Sequence, residues 1–351
     1  MSKQPFFQRR WKLILNIVTL AFLAVLLYAI RDQVAETIQN FKYVNGWVLL
    51  LIFPVQFLNY HGQTKLYQTL FNVVGNKLSY KYLFRASLEL NFVNHVFPSG
   101  GVTGISYFAL RMRQGDKLTG SKASLIQVMK LMLTFLSFEV LLILGLLVLA
   151  AAGKASNMTI LVAGSLSTLL IVGTLMFAYI VGSKSRIKAF FTLVTRALNR
   201  FIYFFKSKKP EAIKIDSVHR TFDEFHEHYN TIRQNRKKLK APFMYALLMN
   251  LTEVMSVYIV YIAFGEWINI GAIILAYAVA NFAGLVSVLP GGIGIYEALM
   301  TAVLVSAGVP AGVSLPVTIM YRMISTAIQV PPGYYFYQKT LRESSKKPHA
   351  A

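Results

Sequence analysis

The chain has 351 residues, 55% of them hydrophobic and 14% charged, with a mean hydropathy of +0.51. Soluble domains carry about 25% charged residues, so a soluble globular protein is excluded, and the lack of cysteine excludes disulfides, thiol nucleophiles and Cys-ligated metals. The net charge of +22 lies mostly between apolar runs, which points to anionic lipid headgroups rather than nucleic acid.

In chain order, the basic start "MSKQPFFQRRWK" leads into an apolar run at 11–30 with no small-residue cleavage site after it. It reads as a retained first span. Further full spans are expected at 45–62, 122–152, 158–182, 241–264 and 310–336, since a spanning helix needs about 20 apolar residues. The third of the six is long enough to tilt or to extend past the membrane. Two more apolar regions, 82–112 and 268–308, are interrupted. They hold "FVNHVFPSGGVTGISYFALRM" (Phe92–Met112) and "FAGLVSVLPGGIGIYEALM" (Phe282–Met300), each an apolar arm, a proline, Gly-Gly, a further glycine and an apolar arm.

The segment 183–240 holds 15 Lys/Arg against five Asp/Glu, which places it in the cytoplasm by the positive-inside rule. Within 186–209, Phe190, Phe191, Val194, Leu198, Phe201, Ile202 and Phe205 share one helical face, and Lys188, Arg196 and Arg200 lie on the other. This is a basic amphipathic helix suited to an anionic lipid surface. The loops expected outside contain only Arg31, Lys42 and Lys154.

The fold class is therefore an all-α polytopic membrane protein: about six full spans plus two broken or re-entrant hairpins, about eight helical membrane segments, arranged as an inverted repeat. One transmembrane domain covers 1–340, with halves 1–182 and 241–340 joined by the basic connector 183–240. A cytoplasmic tail at 341–351 puts both termini inside the cell membrane. The first hairpin starts from the cytoplasmic side and the second from the outer side. Two full spans in the second region would preserve the same parity.

Broken helices at membrane depth occur where they are buried in protein or line a watery cavity, and transporters built from inverted repeats carry them in pairs. A helix beginning after Gly-Gly offers free N–H groups and a positive dipole end, a ready anion site. Pro98, Gly100, Gly101 and Gly104, with Arg111 at the end of the outgoing arm, form the first candidate. Pro290, Gly291, Gly292 and Gly294, with Glu297, form the second. Ionisable residues inside spans cost about 2.5–3.5 kcal/mol each on insertion scales and are functional candidates. They are Glu89, Lys130, Glu139, Glu253, Glu297 and Arg322. Glu297 and Arg322 are expected to share a depth and pair, tuning an anion site at Gly292. Lys130 is expected to snorkel to the cytoplasmic edge. Asn250 lies one turn from Glu253, and Asn281 precedes the second break. His95, beside the first break, is either a hydrogen-bonded packing residue or a proton carrier. No P-loop, G-x-S-x-G, H-E-x-x-H or Asp-rich Mg²⁺ motif is present, so no catalytic residue, metal or cofactor is assigned.

"NHVFPSGG", followed by an Arg-bearing helix end, then "VLPGGIGIYEALMTAVLVSAGVP" and "MYRMIS", resembles the membrane region of lysylphosphatidylglycerol synthases, also seen in stand-alone flippase-like proteins. The resemblance implies a lipid-translocating domain. By position it marks Pro290, Gly291, Gly292, Gly294, Glu297 and Arg322, with Pro98, Gly100, Gly101 and Gly104 from the first half. The chain ends shortly after its last expected span, so a stand-alone form without the soluble lysyltransferase domain is expected. The function so read is translocation of an anionic phospholipid or lipid-linked headgroup held between the two broken helices. The alternatives are a membrane subunit of a lipid-modifying transferase acting with a separate cytoplasmic enzyme, and a non-transporting scaffold.

Overall fold

A computed structural model describes residues 44–97, 102–116, 118–183, 229–286 and 292–346, together with Tyr28, Lys42, Ser185, Arg186, Ala189 and Thr192. The expected span 11–30 and most of the connector lie outside these residues. Among the described residues there is no strand. A single turn, Gly46–Leu49, leads among the described residues into nine α-helices: α1 (Ile52–Val73), α2 (Tyr80–Val96), α3 (Val102–Asp116), α4 (Gly120–Ala151), α5 (Asn157–Val181), α6 (Lys240–Ala263), α7 (Ile270–Val286), α8 (Ile295–Ser306) and α9 (Ala311–Lys346), with a short 3-10 turn, Arg236–Leu239, before α6. The protein is an all-α membrane protein.

Local chemistry sets the helix ends. Ser79, Thr119 and Ser156 accept hydrogen bonds from the backbone N–H groups of Tyr82, Lys122 and Thr159, and so start α2, α4 and α5. Gly75, Gly153, Gly265 and Gly308, two residues past α1, α4, α6 and α8, have φ between 66° and 87°. Glycine adopts this left-handed conformation without Cβ strain, which closes the helix. Four stretches, Gly120–Ala151, Asn157–Ile180, Arg236–Ala263 and Ala311–Glu343, are long and apolar enough to cross a membrane.

The second expected span needs revision. Apolarity ends it at position 62, yet α1 runs to Val73. Its polar residues Gln56, Asn59, Gln63 and Thr64 are buried inside the bundle rather than set against lipid. They keep the helix going while hiding it from a hydropathy reading.

The helices fall into two sets of four, α1–α4 and α6–α9, with α5 outside both. Helix starts correspond across the sets: Tyr80 with Ile270, 190 positions apart, and Gly120 with Ala311, 191 apart. Packing follows the same exchange. The α1–α2 contact matches α6–α7, α2–α3 matches α7–α8, α3–α4 matches α8–α9, and α1–α4 matches α6–α9. Across the sets, α2–α9 matches α7–α4, and α1 packs on its own counterpart α6. That last pair is antiparallel, with Asn45 N–H donating to Ala263 C=O at 2.9 Å and Asn59 Nδ2 to Met249 C=O at 2.9 Å. An antiparallel self-pair is what a two-fold axis in the membrane plane produces.

Small residues allow the cross-set contacts. Gly145 on α4 meets Gly271 and Ile274 on α7, and a Cβ on Gly333 of α9 would lie 2.6 Å from Leu88 O and Phe92 Cβ on α2. Without a hydrophobic drive between helices in lipid, such close packing supplies the association. The outward faces are apolar, with Leu161, Leu169, Leu175 and Met176 exposed on α5 and Ile143 and Leu147 on α4. Trp47 and Trp267, 82% and 76% exposed, sit at one end of the bundle, as interfacial tryptophans do. Lys77, Lys81, Lys122, Arg236, Lys237 and Lys238 collect at the other end.

Candidate functional site: a polar cavity between the two helix sets

Seven helices line a cavity of about 330 Å³. α1 contributes Asn59 and Gln63; α2 Asn91, Asn94 and His95; α4 Lys130 and Thr134; α6 Asn250 and Glu253; α7 Tyr277 and Asn281; and α9 Tyr321, Arg322, Ser325 and Gln329, with Tyr296 of α8 completing the wall. By 1.5 Å rise per residue, Lys130 and Asn250 lie about 15 Å from the basic helix ends, and Arg322 about 16 Å from the opposite end. The cavity therefore sits near mid-membrane, where polar groups are costly and mark substrate or ion paths. Several lining residues correspond across the two sets: Asn59 with Asn250, Asn91 with Asn281, and Thr134 with Ser325, each pair 190 or 191 positions apart.

Cavity residues brace one another. Gln63 and Asn91 exchange hydrogen bonds at 3.1 Å in both directions. His95 Nδ1 lies 2.8 Å from Asn91 C=O, and the residue lines the cavity. Asn250 Nδ2 donates to Thr134 C=O at 3.1 Å and to Ser137 Oγ. Tyr321 OH donates to Glu253 Oε2 at 2.7 Å, and Glu253 has no ion-pair partner among the described residues.

Most of the other charges are engaged. Arg322 Nη1 reaches Glu297 Oε1 at 2.5 Å, the pairing expected from their shared depth. The other oxygen of Glu297 accepts from Gly294 N–H at 2.7 Å. Gly294 begins α8 at φ 84° and Gly292 precedes it at φ 67°. The anion at this helix N-terminus is therefore the protein's own carboxylate, and the positive end of α8 is already neutralised. In the first hairpin, Arg111 Nε pairs with Glu89 Oε2 at 2.9 Å, and Tyr107 and Thr340 donate to the same carboxylate at 2.7 and 2.8 Å. Arg111 and Glu89 thus tie α2, α3 and α9 together and lie outside the cavity lining. Gly104 abuts Asn94, whose amide would be displaced by an added Cβ.

Lys130 corrects an expectation. Its ammonium does not snorkel to the edge. Lys130 lines the cavity, and its ammonium lies 6.0 Å from the ring centre of the buried Tyr67. It has no carboxylate partner among the described residues. Glu139 on α4 keeps a buried Oε2 without a hydrogen-bond partner among them. Pro98, Gly100, Gly101, Pro290 and Gly291, and Lys188, Arg196 and Arg200 on the connector, lie outside the described residues. Asn59, Gln63, Asn91, Tyr277 and Tyr321 escape a reading that seeks charges and glycines. Their signal is polar residues four apart on apolar helices, Asn59/Gln63, Asn91/His95 and Tyr321/Ser325/Gln329, each a single stripe.

The family described as "Lysylphosphatidylglycerol synthase TM region" matches residues 14–333. A UPF0104 membrane protein of Methanocaldococcus jannaschii is 22% identical over 344 residues, covering 95% of this chain and 96% of the relative. One from Methanothermobacter thermautotrophicus is 34% identical over 97 residues, and one from Pyrococcus horikoshii 26% over 102. Those two alignments span 29% and 30% of the relatives' own lengths.

Proposed function

Because the chain belongs to the lysylphosphatidylglycerol synthase TM region family, we propose that it is a lipid translocase whose central cavity holds a phosphate-bearing lipid headgroup between leaflets. The observation that carries this reading is Lys130, which lines a polar cavity at membrane depth and has no carboxylate partner among the described residues. Arg322, Arg111 and the N-terminus of α8 already have internal partners, which leaves Lys130, among the described residues, as the cavity cation for a ligand anion. Around it, Asn59, Gln63, Asn91, Asn94 and Asn250 supply amide donors that can replace headgroup hydration. The volume suits a headgroup, and the acyl chains remain in the bilayer beside the apolar faces of α4 and α5. A mixed lining, rather than one dominated by Lys and Arg, supports translocation over a docking site for a transferase.

The reading includes a cell-membrane location, with the basic helix ends and both termini cytoplasmic, and residues 183–240 forming a lipid-surface connector. Its test is headgroup binding by purified protein in neutral-lipid nanodiscs, with glycerol phosphate as the probe. Lys130→Gln is expected to lose at least tenfold in affinity while Lys130→Arg retains most of it. Equal binding by all three proteins would remove Lys130 from the site.

A further inference from the structure

We infer that the cavity has a second closed state, in which α1 and α9 come together, α4 and α6 part, and Asn59 latches onto Ser325. The inference starts from one break in the internal symmetry. Leaving aside α5, which lies outside both sets, every packed pair among the described helices has its counterpart except α4–α6, which are packed, while α1 and α9 share hardly any packing. At the cavity wall, the packed pair is joined by Asn250 Nδ2 on Thr134 C=O and Ser137 Oγ. The parted pair meets through a 3.3 Å hydrogen bond from Gln329 to Gln56.

The residues for a mirror latch are already in place. Asn59 corresponds to Asn250 and Ser325 to Thr134, both 191 positions apart, and all four line the cavity. Asn59 now donates to Met249 C=O and Thr252 Oγ1 on α6. Ser325 Oγ is buried and has no hydrogen-bond partner among the described residues, which is costly for a hydroxyl. Exchanging the conformations of the two sets would give the backbone carbonyl of Ser325 the Asn59 amide, as Thr134 has that of Asn250, and would bring Asn59 beside the orphan hydroxyl. Helices α4 and α6 both begin at the basic end, whereas α1 and α9 begin at the other. The exchange therefore moves the closure from one membrane face to the other. Such rocking of one repeat against its partner about a fixed site is how inverted repeats alternate access. The two states would be near-isoenergetic because each satisfies an equivalent set of contacts.

The inference rests on the translocation reading, but its test needs no lipid movement, so failure of the latch and failure of translocation give different results. The chain has no cysteine, so engineered pairs have a clean background. Thr134→Cys/Asn250→Cys and Asn59→Cys/Ser325→Cys are each treated in membranes with a short bifunctional thiol reagent. Both pairs are expected to cross-link, the first rapidly and the second slowly. Adding Asn250→Ala to the second pair should raise its cross-linking rate severalfold, since it releases the observed latch. Cross-linking of the first pair alone, from double variants that purify equally well, would overturn the second state. So would a rate for the Asn59/Ser325 pair that Asn250→Ala leaves unchanged.

Discussion

Glu297 does two tasks with one carboxylate: it caps α8 through Gly294 N–H and it neutralises Arg322. Substitution should therefore separate them. Glu297→Gln keeps an acceptor for the cap and leaves Arg322 facing a neutral amide. Removing one member of a buried pair costs about 3–5 kcal/mol. Thermal unfolding in detergent is expected to fall sharply for Glu297→Gln and for Arg322→Gln. The exchanged double variant, Glu297→Arg with Arg322→Glu, restores the pair but loses the cap, so it should recover only part of the loss. Full recovery would mean that the cap contributes nothing, and wild-type melting in both single variants would mean that the charges are independently solvated. Glu89 is a second such node, with Arg111, Tyr107 and Thr340 on one carboxylate. Glu89→Gln should destabilise the protein without altering headgroup affinity, because this cluster lies outside the cavity lining.

At the scale of helices, the glycines fall into two kinds that the sequence does not distinguish. Gly333 faces backbone and Cβ atoms at 2.6 Å, while Gly164 on α5 has open space around it. Gly333→Ala must push α2 and α9 apart and is expected to lower the melting temperature. Gly164→Ala should be neutral or slightly stabilising, by at most about 1 kcal/mol. Equal effects at the two positions would deny that the α2–α9 contact depends on close approach. The same contrast explains what the sequence can and cannot reveal. The long helices α4, α5, α6 and α9 are legible because their outward faces are apolar throughout, and the two broken regions because Pro and Gly-Gly interrupt them. The true extent of α1 is not legible, because Gln63 and Thr64 read as a span's end until the structure shows them buried inside the bundle. The Glu297–Arg322 pair follows from depth along two consecutive helices. Lys130 could not be placed that way, since its surroundings include Tyr67 of α1 and the cavity residues of α6, more than 50 residues away on either side in the chain.

Taken as a whole, the molecule has a tryptophan-bearing end and a lysine- and arginine-bearing end, with a polar cavity between them and apolar flanks around it. This distribution supports the proposed orientation, with the basic end cytoplasmic, by the positive-inside rule. In the cysteine-free chain, Lys77→Cys should react with an impermeant thiol reagent from the cytoplasmic side and Ala155→Cys from the outer side. Reaction of both from one side would refute the arrangement. The connector face bearing Lys188, Arg196 and Arg200 is proposed to rest on anionic lipid, at roughly 1 kcal/mol per basic residue. A peptide of residues 186–209 should bind phosphatidylglycerol vesicles and release at high salt, and equal binding to neutral vesicles would remove the electrostatic part of that proposal.

The central claim is that the cavity carries a lipid headgroup from one leaflet to the other, and a leaflet-resolved assay in proteoliposomes tests it most directly. Vesicles containing a trace of phospholipid labelled on an acyl chain are reconstituted with the purified protein, and a membrane-impermeant reductant bleaches the outer leaflet. With wild-type protein, bleaching is expected to continue past the outer-leaflet half towards completion, while vesicles with Lys130→Gln stop near half, as protein-free vesicles do. If a panel of anionic, zwitterionic and lysyl-bearing phospholipids all stop at half with the wild-type protein, the cavity does not move phospholipids and the account is contradicted.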